Sequence, residues 1–351
     1  MSRLQLSICI ATLNRAAFIG ATLDSIISQA TEEVEIVIVD GASTDNTEQV
    51  VREYQQQFLH LHYVRLEAKG GVDQDYCRAV ELAQGEYCWL MSDDDLLKPG
   101  ALPVVLAATR DHYGLIIVNA EVCNADLSKL LTPRRLPFNS DRVYQPTEAD
   151  RHRLLAETGD YLSFIGGVVI KRQLWEVREK ERYFGSEFIH VGIIFQSPLP
   201  EAVLVLAEPW VVIRYGNAQW TTRYFQVWMF KWPGMIWSLS DYPDAVKRRV
   251  SHPEPWRNPW ALLLFRARGV YSLDDYQKWI APRLSSTSSK LMLRIIAQLP
   301  GCAVNLFASL YAVIRRYHPL LIDLTNSRFN YRQCWAHLFQ VNPKPARNHS
   351  G

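Results

Sequence analysis

The chain has 351 residues, 48% of them hydrophobic and 21% charged. That is enough for a sizeable core and two domains, and it excludes a disordered chain. A formal net charge of only +2 gives no reason to expect nucleic acid as a partner. Six cysteines (Cys9, Cys77, Cys88, Cys123, Cys302 and Cys334) form no Cys-x-x-Cys pair, and several sit in apolar runs. Buried thiols of a reducing compartment are expected, and no zinc site. Met1 to Leu6 runs directly into a strand-like stretch without a signal-peptide core, which predicts a cytosolic start.

Strands and helices alternate through the first hundred residues. Leu6 to Thr12 is an apolar strand, and Phe18, Ile19, Leu23, Ile26 and Ile27 follow at helical spacing. Glu35 to Asp40 is a second strand; Gly41-Ala42-Ser43-Thr44-Asp45 then turns and caps a helix through Val50, Val51 and Tyr54. His62 to Leu66 is a third strand, Gly70-Gly71 a turn, Val72 to Leu82 a helix, and Tyr87 to Ser92 a fourth strand. Such alternation implies right-handed crossovers and a mainly parallel sheet, whose ligands bind at the carboxyl ends of the strands. Thr12, Asp40 and the triplet Asp93-Asp94-Asp95 all fall at such ends.

Adjacent carboxylates repel unless a cation lies between them, and Mg²⁺ or Mn²⁺ gripping a phosphate is the usual solution. A helix N-cap at Asp95 is the competing reading of the triplet. Asp40 can accept hydrogen bonds from a nucleobase edge, without selecting which base. Thr12, Asn14 and Arg15 offer a hydroxyl, an amide and a guanidinium beside the same mouth, suited to base, ribose or phosphate. Asn14 and Asp45 can equally serve as caps. Arg78, on the helix before the acidic strand, is a candidate for pointing into the mouth, or else a solvated surface arginine.

Four segments, in order, carry a resemblance: Ile10-Ala11-Thr12-Leu13-Asn14-Arg15, Ile38 to Asp45, Ala79 to Tyr87, and Leu90-Met91-Ser92-Asp93-Asp94-Asp95. Together they resemble the family 2 glycosyltransferases of GT-A fold. The resemblance implies a Rossmann-like α/β domain in which Asp40 holds the base and Asp93, with Asp94 beside it, meets ribose or metal. It also implies that Asp95 ligates a divalent ion on the donor's diphosphate. One stretch departs from the family: Ala68-Lys69-Gly70-Gly71-Val72-Asp73-Gln74-Asp75-Tyr76 stands where an Asn-x-Gly-x-x-x-Ala-Arg-Asn pattern is usual. Further on, Gly159 to Arg172, Phe184 to Val191 and Val212 to Asn217 are similar to the branch containing bacterial O-antigen abequosyltransferases. That branch implies a nucleotide-linked deoxysugar donor and a lipid-linked oligosaccharide acceptor.

An acceptor hydroxyl that attacks an anomeric carbon needs a base in line with it. Glu187 and His190 are the candidates, three apart and on one face if helical; a surface acid and a packing histidine are the competing readings. Arg214 and Asn217 follow an apolar run and are candidates for a diphosphate or ion clamp from the far side.

The second half turns aromatic: Trp210, Trp220, Trp228, Trp232, Trp237, Trp256, Trp260 and Trp279 crowd together, suited to sugar stacking, a membrane interface or helix packing. From Ala281 onward nine Lys/Arg (Arg283, Lys290, Arg294, Arg315, Arg316, Arg328, Arg332, Lys344 and Arg347) face one acid, Asp323. Residues 295–314 carry no charge but are broken by Pro300-Gly301. Cationic flanks around a broken apolar run fit amphipathic helices on an anionic membrane surface better than a span, with core or oligomer packing as the alternative.

The expected organisation is a nucleotide-sugar-binding domain over 1–217, a helical aromatic-rich region over 218–280 and a basic membrane-associating tail over 281–351. The expected activity is Mn²⁺- or Mg²⁺-dependent inverting transfer from a nucleotide-diphosphate sugar to a glycan or lipid-linked acceptor, peripherally on the cytoplasmic face of the plasma membrane. A sugar-phosphate nucleotidyltransferase is a rival, although Thr12 to Ala17 supplies no glycine-rich phosphate loop. A non-catalytic nucleotide-sugar scaffold is another.

Overall fold

The computed structural model describes residues 4–217 and 223–333. Trp220, Cys334, Lys344 and Arg347 lie outside the described residues. The apolar runs form β1 (Leu6–Thr12), β2 (Val34–Asp40), β3 (Leu61–Arg65) and β4 (Tyr87–Met91). β2 and β4 are buried along their whole length, the pattern of parallel strands covered on both faces. Between them run α1 (Ile19–Ile27), α2 (Thr47–Gln55) and α3 (Val72–Leu82). Gly85, between α3 and β4, lies against β1 so closely that a Cβ there would sit 2.7 Å from the Ser7 amide nitrogen.

Past β4 the chain adds β5 (Leu96–Leu97), β6 (Leu115–Asn124), β7 (Leu130–Thr132), β8 (Arg142–Tyr144), β9 (Val168–Lys171) and β10 (Val203–Tyr215). The sheet order is β3-β2-β1-β4-β9-β6-β10-β5, with β7 beside β6 and β8 beside β10. The four strands β3-β2-β1-β4 are parallel, as the alternation predicts. β9 then pairs antiparallel with both β4 and β6, so the parallel expectation gives way to mixed pairing there. That insertion depends on a strand about eighty residues downstream, which local alternation cannot report.

The chain divides into two compact units. The first comprises the sequence up to Asn217 together with Lys231–Pro253; the second takes the remainder. The first unit thus breaks at Asn217 and takes up Lys231–Pro253, while residue 280 falls inside the second unit. Phe225, Met229, Trp256, Leu262, Tyr271, Leu293 and Ile296 share one core that runs across residue 280, because buried rings pack with whatever apolar helix reaches them. A second cluster joins Ala267, Val304, Ala308, Ala312, Leu320 and Leu324. Asn305 sits fully buried and its amide donates to the Ala267 and Leu324 carbonyls, each at 3.0 Å. No single helix among the described residues is long and apolar enough to cross a membrane.

Cys9, Cys77, Cys88 and Cys123 are free and buried. Cys302 is disulfide-bonded, which departs from the expectation of thiols throughout.

Candidate active site

Parallel register sets Thr12 opposite Asp40 at the carboxyl ends of β1 and β2. Asp40 is wholly buried: one carboxylate oxygen accepts the Ser43 N–H at 2.7 Å and the other the Tyr63 hydroxyl at 2.7 Å. Asn14, at φ 54°, donates its backbone N–H to the Ser43 hydroxyl at 2.8 Å, and its amide oxygen accepts the Thr44 N–H at 2.7 Å. Asn14 thus braces the turn after β1 against the turn after β2.

Asp93, Asp94 and Asp95 follow β4 and are all buried. No helix begins there. Leu96–Leu97 continues as β5 against β10, and Asp95 accepts the Arg214 backbone N–H at 2.8 Å across that seam, so the N-cap reading is replaced. Asp94 accepts the Ser92 hydroxyl at 2.6 Å and the Asn217 amide at 2.8 Å. Arg15 enters this cluster as its internal cation, 3.3 Å from Asp93 and 3.3 Å from Asp94, and donates to the Asn217 carbonyl at 3.1 Å. The Arg214 guanidinium donates to the Asp94 carbonyl at 3.0 Å and the Ala125 carbonyl at 2.7 Å. The backbone carbonyls left open where β10 meets the acidic loop explain that commitment.

Asp93 and Asp94 therefore share one ion-paired guanidinium, and Asp95 lies beside the charge of Arg214. Burial, then the charge of Asp94, pushes Asp93 up to about 7 despite Arg15. Burial and Asp94 likewise hold Asp95 well above the carboxylate range. Oxygen donors short of positive charge fit a hard divalent cation. Among the described residues no three His, Cys, Asp or Glu side chains form a ready-made cage. That combination suits an ion held by one or two carboxylates and completed by phosphate oxygens.

The departing stretch, which runs into the first turn of α3, supplies two further buried carboxylates. Asp73 is buried and accepts the Glu187 N–H at 3.0 Å and the Ile189 N–H at 3.2 Å. Asp75, two residues on, packs its carboxylate against Gly41, where a Cβ would come within 3.0 Å of it. One Asp75 oxygen is buried without a hydrogen-bond partner, and burial followed by the charge of Asp40 raises the group to about 6. Arg78 stays out of the mouth: it is half-exposed and donates to Glu81 at 3.1 Å, because its position on α3 faces solvent.

Glu187 precedes the helix Ile189–Phe195, in a turn with Gly185 at φ 81° and Glu187 itself at φ 69°. The shared helical face with His190 therefore does not exist. Lys231 ion-pairs with Glu187 at 2.8 Å, both side chains being largely buried. His190 is 1% exposed; its Nε2 lies 2.7 Å from the Leu162 carbonyl and its Nδ1 has no partner. Burial lowers it to about 4, so at neutral pH this buried histidine is uncharged.

Residues 7–165 match the sequence profile described as glycosyl transferase family 2. The chain carries a family 2 glycosyltransferase domain. Over 223 residues, 60% of this chain and 67% of the relative, it is 27% identical to the abequosyltransferase RfbV of Salmonella typhimurium. It is 26% identical to the GalNAc(5)-diNAcBac-PP-undecaprenol beta-1,3-glucosyltransferase of Campylobacter jejuni over 52% of this chain, spanning only 57% of that protein. Residues 1–349 of TarS from S. aureus, solved with UDP-GlcNAc, superpose at a TM-score of 0.55 and 16% identity, covering 96% of this chain and 92% of that one. The mannosyltransferase PcManGT of Pyrobaculum calidifontis, solved with GDP-Man and Mn²⁺, superposes at 0.53 and 16% identity, covering 97% and 89%. The glycosyltransferase domain thus shares their fold.

Proposed function

We propose that the protein is an inverting glycosyltransferase that moves a sugar, of the deoxysugar class, from a nucleotide-diphosphate donor to a lipid-linked oligosaccharide or polysaccharide acceptor. The process is cell-surface glycan assembly of the O-antigen type, on the cytoplasmic face of the plasma membrane. One observation carries the reading: three buried, under-neutralised carboxylates end β4, and Asp40 ends β2, in the same sheet of a family 2 domain. The activities for which RfbV and the undecaprenol-linked glucosyltransferase are named support the donor and acceptor classes.

In this reading Asp40, with Thr12 beside it, takes the base, and Asp93 and Asp95 hold Mn²⁺ or Mg²⁺. The ion, when bound, neutralises charge on the departing diphosphate. Arg15 leaves its carboxylate partners for a phosphate oxygen. Glu187 takes the proton from the attacking acceptor hydroxyl, held by Asp73 through the backbone and by Lys231 through its charge.

The test is a panel of nucleotide-sugars with Mn²⁺ or Mg²⁺ and an undecaprenyl-diphosphate-linked glycan, scored for nucleotide release by wild type and Asp95→Ala. Loss of at least about 100-fold in Asp95→Ala is expected. Equal release by the two removes the metal role. Donor binding without turnover makes the chain a scaffold, and binding of no donor ends the reading.

A further inference from the structure

A helix that packs one face on a core ordinarily turns a polar face to water. Two helices of the second unit do not. The helix Gly301–Ile314 buries Val304, Asn305, Ala308 and Ala312. Its outer side carries Phe307 at 54% exposure, Leu310 at 56%, Val313 at 58% and Ile314 at 79%. The helix Thr287–Gln298 buries Leu293, Ile296 and Ala297 and leaves Leu291, Met292 and Ile295 exposed. The two helices meet at an angle of 90° across Leu299-Pro300. Trp260, itself 39% exposed, adds to the patch: its ring lies edge-on to Phe307 at 6.2 Å and to Tyr311 at 5.1 Å.

Charge says what this face meets. No Asp or Glu occurs between Asp275 and Asp323, whereas Lys278, Arg283, Lys290, Arg294, Arg315 and Arg316 do. Arg294 is exposed among Leu291, Met292 and Ile295, and Arg315 and Arg316 are exposed directly after Ile314. A second copy would bring like charges together. An anionic lipid monolayer supplies both the apolar phase and the opposite charge.

We infer that the bent helix pair 287–314, with Trp260, is a monolayer-docking wedge. Leu291, Ile295, Phe307, Leu310 and Ile314 enter the headgroup boundary, and Arg294, Arg315 and Arg316 meet lipid phosphates. The bend and the arginines at its ends keep the pair in the interface plane and out of a crossing. This deepens the peripheral reading given above by naming its surface, and it stands on the second unit alone. A protein that binds a nucleotide-sugar but ignores vesicles overturns the wedge and leaves glycosyl transfer intact; the reverse result separates them the other way.

The experiment floats the full chain with phosphatidylcholine vesicles, with and without phosphatidylglycerol. Wild type is expected to float with the anionic vesicles only. The triple variant Phe307→Glu, Leu310→Glu, Ile314→Glu is expected to lose at least about tenfold in bound fraction. Arg294→Gln, Arg315→Gln, Arg316→Gln is expected to lose several-fold, together with its salt sensitivity. Unchanged circular dichroism and nucleotide binding establish that the variants are folded. Equal flotation of the triple Glu variant, or none by wild type, overturns the inference. So does sedimentation showing that wild type ignores vesicles but dimerises through this face. A requirement to remove residues 334–351 before any flotation also overturns it, since that segment would then be the cover.

Discussion

The two units break opposite rules. In the first, an apolar sheet ends in charge that water would solvate better: Asp40, Asp75, Asp93, Asp94 and Asp95 are all under a tenth exposed. In the second, the core is conventional and the surface is not, with Phe307, Leu310, Val313 and Ile314 given to solvent. Buried unpaired charge costs stability, and exposed apolar surface costs solubility. On the readings proposed above, a partner of opposite character offsets each, a cation with a diphosphate in one unit and a lipid surface in the other. The comparison teaches that sites show as local violations of good packing.

The contrast breaks most sharply at Glu187. Glu187→Gln keeps the turn and the backbone bonds to Asp73, so we expect kcat to fall by roughly 10²–10⁴ with donor Kd unchanged, measured by single-turnover kinetics and calorimetry. A fall under about threefold would put the base elsewhere. In the second unit Trp256→Ala should cost about 3–5 kcal/mol in denaturant unfolding, since Trp256 is 3% exposed within the aromatic cluster. Loss of under about 1 kcal/mol would mean that the cluster does not hold this unit together.

Asp75→Asn sharpens the first half. A carboxyl raised in the fold stabilises below its unfolded pKa of about 3.9, and that contribution is lost as pH rises through the folded value of about 6. The Asn variant should therefore gain on the order of 2 kcal/mol at pH 8 and little at pH 4, while binding donor nucleotide more weakly. His190 runs the other way: with its folded pKa lowered to about 4, its share of stability is full above 6.5 and is lost as pH falls toward 4. Wild type should lose about 2 kcal/mol between pH 7 and pH 5 relative to His190→Gln, by thermal melts across that range. The smallest effect belongs to Arg78→Ala, within about 0.5 kcal/mol and with donor affinity unchanged, as for an exposed i,i+3 pair with Glu81. A tenfold loss of donor affinity there would return Arg78 to the mouth.

The parallel half of the fold was legible because β1, β2 and β4 are continuous apolar runs closed by polar residues, a local signal. The acidic triplet and Asp40 were legible for the same reason: strand ends in such sheets converge. Side-chain direction was not. Arg78 and Arg214 look alike in sequence to arginines that face a ligand; one faces solvent, and the other, carried on β10, meets the carbonyls of Asp94 in the acidic loop and Ala125 in the β6–β7 turn. Glu187 and His190 share a face only on a helix, and Glu187 instead sits in a left-handed turn with Gly185, tied to the distant Asp73. Asp73 and Asp75 escaped because they stand where the family pattern fails. That failure was itself the signal.

Those two aspartates leave α3 two residues apart, one toward the loop bearing Glu187 and the other toward the Asp40 recess. One rigid helix carries both contacts, so α3 ties the Glu187 loop to the Asp40 recess. Filling the donor recess should then tighten the acceptor's grip, giving sequential kinetics in which acceptor affinity rises once a nucleotide is present. Identical acceptor affinity with and without nucleotide would mean that α3 does not couple the two.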